Sequence, residues 1–347
     1  MKAFRRFARE ERAARLELVD IPKPGTGEVL LKVSHCGICG SDLHAWLNHK
    51  GYESVLPEVT FGHELSGTVV ETGKGVDQWE TGQNAVIIAL QTKHDPSDPF
   101  CNNGLPQLSN RRRVQGLHLD GGMAEFMCVD QEFLLPIPNG LSMELAALTE
   151  PLSVAEHCIA DRTDITAEDQ VIVSGPGIIG LLCAICARAR GAEVVIAGTE
   201  KDETVRLSTA RTLGFQTITV GKNLPPLSEQ IEKIFPNGAD ALIEASGAPI
   251  ALTEAWRSVR PDGTVTAVAL YAKTIDFDLT QFVRKQIDLR TSYASSKPDY
   301  LRAFKLLLDG KVDGKALLSI YNLQDAEKAF LDSESLRVMK AVLACQG

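Results

Sequence analysis

One stretch limits what this chain can fold into more than any other. Val171-Ile172-Val173-Ser174-Gly175-Pro176-Gly177-Ile178-Ile179-Gly180 opens it, an apolar run continues to Arg190, and a second β-branched run from Glu193 to Ala197 follows Gly191-Ala192. A short Val/Ile strand, glycines spaced G-x-G-x-x-G, a helix and a second strand about twenty residues on make one βαβ unit, the dinucleotide-binding pattern. The first glycine permits a tight turn, the second lets backbone approach a pyrophosphate, and the third lets helix and strand pack closely. The helix N-terminus then offers unpaired N–H groups to the phosphates. Such a glycine pattern is weak alone; the strand before it and the helix after it make it specific. Gly175, Gly177, Ile178, Ile179 and Gly180 are therefore candidate cofactor contacts.

A chain of 347 residues exceeds what one core usually fills, which predicts two domains. The net charge of −9 argues against nucleic acid or an acidic membrane surface as partner. The one dense basic run, Arg111-Arg112-Arg113, reads as a solvated loop face beside Asn110 and Gln115, with contact to an anionic substrate as the other reading. Met1–Arg6 lacks the apolar stretch of a secretion signal, and no later run reaches the roughly eighteen apolar residues of a membrane span, so the expected location is the cytoplasm. There, eight cysteines stay thiols, with metal ligation, catalysis or packing as their roles.

From Leu16 to about Phe133 the text is mostly strand and turn. Glu28–Val33 follows the turn-rich Pro22–Gly27, and similar runs recur at Ser66–Val70, Ala85–Leu90 and Ala124–Val129, which predicts an irregular all-β domain carrying its polar chemistry on loops. Ser142 caps a predicted helix over Met143–Leu148, a second runs from Leu152 to Ile159, and Pro151 between them puts Glu150 at a junction. Strands and helices then alternate: Val171–Ser174, Gly180–Arg190, Val194–Ala197, Glu203–Leu213, Ile218–Val220, Ala241–Glu244, Ile250–Val259 and Thr264–Leu270. That alternation predicts a doubly wound parallel sheet covered by helices, an α/β fold. After Arg290 come a helix at Tyr300–Leu308, a short strand and helical Asp325–Phe330. Too few residues follow Thr291 for a third domain, so this segment is expected to fold back on the first.

Cys36-Gly37-Ile38-Cys39-Gly40-Ser41-Asp42-Leu43-His44, Gly62-His63-Glu64 and Glu150 supply thiolate, imidazole and carboxylate, the ligand types zinc accepts. Chemistry alone leaves each a bland reading: a satisfied histidine, packed thiols, a helix-end charge.

Gly62-His63-Glu64-Leu65-Ser66-Gly67, continuing through Gly73 and Gly75, resembles the zinc signature of the medium-chain dehydrogenase/reductase family. Gly37–His44 and Glu150-Pro151-Leu152-Ser153-Val154 resemble its polyol branch, the sorbitol and threonine dehydrogenases. The likeness extends through the glycine turn, Asp240–Gly247 and Leu323–Val342. It implies a GroES-like catalytic domain, residues 1–153 with 291–347, around a Rossmann domain, residues 154–290. Cys39 and His63 then imply metal ligands, with Glu64 and Glu150 as the carboxylates, either of which can be the direct ligand. Ser41 implies the hydroxyl that touches the substrate oxygen, His44 the outer member of a proton relay, and Ser246 a coenzyme contact. The implied activity is interconversion of a secondary alcohol, such as a polyol or sugar, and its ketone by hydride transfer. It would use one catalytic zinc and NAD or NADP, in a homodimer or homotetramer.

Two departures qualify the resemblance. Where relatives carry four closely spaced cysteines for a structural zinc, the frame reads Asp95, Asp98, Cys101 and Ser109, so no structural zinc is expected. Where an acidic residue would hold the ribose 2′-hydroxyl of NAD stands Gly198-Thr199. Thr199, Lys201 and Arg206 can receive a 2′-phosphate and Glu200 opposes it, so the reading leans towards NADP. Cys183 and Cys186 lie among small apolar residues and read as core. The rival functions are a zinc-free NADPH reductase of the same fold and a nucleotide-binding protein without turnover.

Overall fold

Val and Ile runs that are buried on both faces become the central strands of a parallel sheet, which here has six strands in all. In the computed structural model, which describes residues 1–346, their spatial order is Gln216–Val220, Glu193–Thr199, Gln170–Ser174, Ala239–Glu244, Val259–Ala267 and Asp288–Thr291. All five pairings are parallel. The strand order reverses beside Gln170–Ser174, the place where open α/β sheets bind ligands at their carboxyl ends. The helix Ile178–Ala189 leaves that strand with Gly180 through Ala187 buried, so Cys183 and Cys186 are core thiols.

The chain divides into two compact units: 1–150 with 295–308 and 318 onward, and 151–294 with 309–317. The second holds the parallel sheet. The first is built on a sheet ordered Leu134–Pro136, Asn84–Ile87, Glu64–Thr72, Glu28–Gly37, Lys340–Ala344 and Leu318–Asn322, with Phe126–Asp130 also paired to Glu28–Gly37. Val342, Leu343 and Ala344 pair antiparallel with Gly37, Cys36 and His35, so the late strand is seated against the early one. Phe330 packs within 5.1 Å of Phe4, 5.3 Å of Trp46 and 5.8 Å of Phe61, ring centre to ring centre, which joins a late helix, Ala326–Glu334, to the same core. Among the described residues no helix is long and apolar enough to cross a membrane.

Several local expectations are corrected. Gly40–Trp46 is a helix rather than a loop. Thr149–Glu156 is one helix with Pro151 in its first turn, where a missing N–H costs nothing, so Glu150 lies within that turn rather than between helices. Met143–Ala146 stops early, although Ser142 caps it as expected. The expected Glu203–Leu213 helix begins as a π-helical turn, Glu203–Leu207, and is α-helical only over Ser208–Thr212. Ile250–Val259 breaks into Pro249–Thr253 and a 3-10 turn at Ala255–Arg257, and the next strand starts at Val259.

Candidate active site

The strand Glu28–Gly37 delivers the chain to Cys39, which caps the helix Gly40–Trp46. Asp42 accepts the Cys39 backbone N–H at 3.0 Å, closing that first turn. Ser41 lies in the same turn, its Oγ 3.3 Å from His63 Nε2. Gly62, with φ +101°, turns the chain so that His63 and Glu64 enter the neighbouring strand; a Cβ there would lie 3.0 Å from the Met123 backbone N.

Around Cys39 the interior is unusually charged. Asp42 is 0% exposed, Glu64 1%, Lys340 2% and His63 4%. Lys340 forms an ion pair with Glu64 and donates to the Ile38 carbonyl at 2.8 Å. Asp42 Oδ1 faces His63 Nδ1 at 3.5 Å, too far for a good hydrogen bond, and neither atom has another. Burial pushes Glu150 up to about 7; nearby Glu64 and Asp42 add to that, while His63 and Lys340 oppose it. Burial also raises Asp42, against the pull of His63. On His63 burial works downward, and Asp42 and Cys39 overcome it, so the imidazole is held well above its ordinary range.

This donor set fits a divalent cation. Three carboxylates and a thiol stand against one lysine and one imidazole, with Asp42 and Glu64 fully buried and Cys39 and Glu150 half-buried, an excess of negative charge that a cation would balance. A proton on His63 Nδ1, facing Asp42, would leave the Nε2 lone pair on the Ser41 side, the arrangement in which a carboxylate orients a ligating histidine. Cys36, fully buried, has its thiol pushed well up by burial and remains a packing residue.

His44 is carried by the same helix but is paired elsewhere: its Nδ1 lies 2.8 Å from His49 Nδ1, and its ring stacks on Tyr52 at 5.5 Å. Burial, reinforced by His49, lowers its pKa. Asp42 and Lys340 escaped the sequence reading. Asp42 closes a capping box, but with cysteine in the cap position that signature is not readable from sequence. Lys340 carried no local signal.

The second unit collects the other candidates. Gly175, with φ +106°, makes the turn after the strand, and the following helix starts at Ile178 with no side chain capping it, so its first N–H groups remain open to an anion. Ile178 and Ile179 are half-buried beside them. Glu200 and Lys201 are exposed. Thr199 donates its N–H and hydroxyl to Asp202 Oδ2 at 2.9 and 2.8 Å, and Arg206 donates to Asp202 Oδ1 at 3.2 Å. The strand end read as lacking a carboxylate thus has one from Asp202, already engaged by Thr199 and Arg206. The Arg206 guanidinium carbon would be 3.9 Å from a Cβ on Gly177, which brings Arg206 to the glycine turn. Ser246 packs against Gly175 and bonds to Glu244.

In the frame Asp95, Asp98, Cys101 and Ser109, Asp98 caps the turn Pro99–Asn102 and accepts the Ser109 hydroxyl at 2.5 Å, while Asp95 pairs with Arg111. The Ser109 carbonyl accepts from Arg112 at 2.8 Å. Two of the three arginines are therefore tied into this loop.

Comparison with known proteins places this geometry. A family model for the alcohol dehydrogenase GroES-like domain matches residues 25–139, and one for zinc-binding dehydrogenases matches residues 179–309. Sorbitol dehydrogenase of Halalkalibacterium halodurans is 33% identical over 327 residues, 93% of each chain. The crystal structure of 2R,3R-butanediol dehydrogenase from Bacillus subtilis superposes with a TM-score of 0.89 at 27% identity, covering 99% of both chains. A candidate zinc-binding dehydrogenase from Sinorhizobium meliloti, bound to NADP, superposes with a TM-score of 0.88 at 26% identity over 99% of this chain and 98% of its own. The family expectation drawn from the motifs holds: the chain belongs to the zinc-dependent medium-chain dehydrogenase/reductase family and is an oxidoreductase of its alcohol dehydrogenase type.

Proposed function

We propose that this chain interconverts a secondary alcohol of the polyol or sugar class and its ketone, with a nicotinamide coenzyme and one zinc ion. The reading is carried by the electrostatic neighbourhood of buried His63 and Glu64 with half-buried Cys39 and Glu150, a negatively charged group on the first unit. The first unit is the catalytic, zinc-binding part and the second the coenzyme-binding part. Cys39, His63 and the two glutamates would hold the metal, and when bound it supplies Lewis acidity that makes an alcohol proton far easier to remove.

The chain's own residues then have separable tasks. Asp42 orients His63, and Lys340 holds Glu64 in place against Ile38. Ser41 Oγ accepts the proton leaving the substrate hydroxyl and passes it outward, with His44 as the outer acceptor. Gly175, Gly177 and the open helix start at Ile178 and Ile179 bind the coenzyme pyrophosphate, and Gly180 keeps that helix close to its strand. The coenzyme, when bound, would supply the hydride acceptor or donor for the alcohol carbon.

On the choice of coenzyme we favour NADP. The Asp202 carboxylate is spent on Thr199 and Arg206, while Lys201 and Arg206 offer positive charge to a 2′-phosphate. Glu200 is the opposing charge. A zinc-free reductase has no use for the buried ligand cluster, and a protein without turnover has none for a proton-accepting Ser41.

The test is Cys39→Ala, assayed for metal content and for alcohol-dependent coenzyme reduction with NAD and NADP in parallel. Metal content is expected to fall well below about one ion per chain, and activity to vanish. A variant with full activity overturns the zinc reading, and a higher kcat/KM with NAD overturns the coenzyme preference.

A further inference from the structure

Glu244, the last residue of the strand Ala239–Glu244, is a fully buried carboxylate that the proposed reaction does not use. It is surrounded by donors. The Ser246 N–H reaches Oε1 at 2.8 Å and the Gly247 N–H at 3.1 Å; the Ser246 hydroxyl also donates to Oε1, and the Tyr271 hydroxyl to Oε2. Its backbone carbonyl accepts from Val268 at 2.9 Å and Ala269 at 3.2 Å, at the end of the next strand. Ser246 Oγ in turn accepts the Ala248 N–H at 3.1 Å. One side chain thus folds two consecutive loops at the carboxyl edge of the sheet: 245–248, and 268–271, which carries Tyr271.

Those loops border the glycine turn. A Cβ on Gly175 would lie 2.6 Å from the Ser246 backbone N, so the turn and the loop are in backbone contact. A Cβ on Gly247 would lie 3.1 Å from the Leu270 carbonyl, which brings the second loop against the first. A carboxylate with this many donors costs several kcal/mol to bury and recovers that only when all its bonds are formed. Burial, and then Glu244, raise the pKa of Tyr271, so its hydroxyl stays a donor.

We propose that Glu244 and Tyr271 are positioning residues for the coenzyme: their bond locks the loop 245–248 against Gly175 and so holds the nucleotide site in its binding shape. Neither side chain is assigned contact with the coenzyme; both act through Ser246 and Gly247. The inference rests on the reading of the second unit as the coenzyme site.

The experiment measures coenzyme binding directly, by titrating wild type, Tyr271→Phe and Glu244→Gln with NADH and NADPH and following nicotinamide fluorescence. Wild type that binds neither coenzyme overturns the site reading itself. If wild type binds, Tyr271→Phe is expected to weaken binding about 10- to 100-fold, the loss that follows from one hydrogen bond to a charged group. Glu244→Gln is expected to weaken it more, because Gln presents one acceptor oxygen where the carboxylate presents two. In turnover the coenzyme KM is expected to rise by a larger factor than kcat falls. A Tyr271→Phe protein that melts lower but binds coenzyme as tightly as wild type overturns the proposal, leaving the bond a purely structural one. Should Glu244→Gln fail to fold, the Tyr271→Phe titration decides alone.

Discussion

Lys340 shows most sharply what a single residue does here. Its ammonium is buried beside Glu64, where burial works against its charge and Glu64 outweighs that. Removing one member of such a pair strands the other, at a cost of about 3–5 kcal/mol. Lys340→Met in metal-stripped protein is therefore expected to unfold at lower urea, and Lys340→Met with Glu64→Gln to recover most of the loss. If the single variant proves as stable as wild type in urea, the pair has no structural weight. Residues that carry a type-specific local signal stood out in the sequence as candidates: Cys39, His63, Glu64 and Glu150 by ligand chemistry and resemblance, and the glycines by spacing. Lys340, separated from its Ile38 partner by 302 residues, was not, because a lysine announces no partner at that range.

At the level of elements, strands of the parallel sheet were readable because burial on both faces demands continuous Val/Ile runs. The edge strand Asp288–Thr291 was not, being mostly polar and largely exposed. The helices Leu227–Glu232 and Leu279–Lys285 were missed as well, since six or seven residues barely complete two turns of a helical period. Gly40–Trp46 was hidden by its cap: cysteine is not a residue one reads as a helix start, and glycine follows it. The strand Ala239–Glu244 also has a measurable pH signature. Burial pushes Asp240 up, but the Gln170 N–H at 2.7 Å and the Arg260 guanidinium at 2.6 Å outweigh it and hold the carboxyl below its usual range. A depressed folded pKa adds stability above the unfolded value of about 3.9 and loses it as pH falls through the folded one. Melting temperatures of wild type and Asp240→Asn should thus differ at pH 6 and converge towards pH 3. A gap that stays constant with pH would show that the charge of Asp240 is not what stabilises the strand.

For the whole molecule, the two units carry separate cores, and their proposed ligands fall on different ones. Chelating the metal is expected to speed hydrogen exchange in Glu28–Gly37, Glu64–Thr72 and Lys340–Ala344, the strands around the ligand cluster. It should leave Gln170–Ser174 and Glu193–Thr199 as protected as before; exchange mass spectrometry reads both sets at once. Equal loosening of the two sets would mean that the metal does not belong to the first unit. The fold class was legible at this scale because strand and helix alternation admits few topologies. The seating of Lys340–Ala344 beside Glu28–Gly37 is a tertiary fact no local pattern encodes.

That late strand also places the site in time. On a ribosome adding about 5–20 residues per second, the 302 residues between Ile38 and Lys340 take about 15–60 s to make. For most of that interval the nascent chain holds Cys39, His63 and Glu64 but lacks the lysine that neutralises Glu64. The charged cluster around Cys39 comes into balance only when nearly all of the chain has been translated, after every strand of the parallel sheet has been made ahead of it.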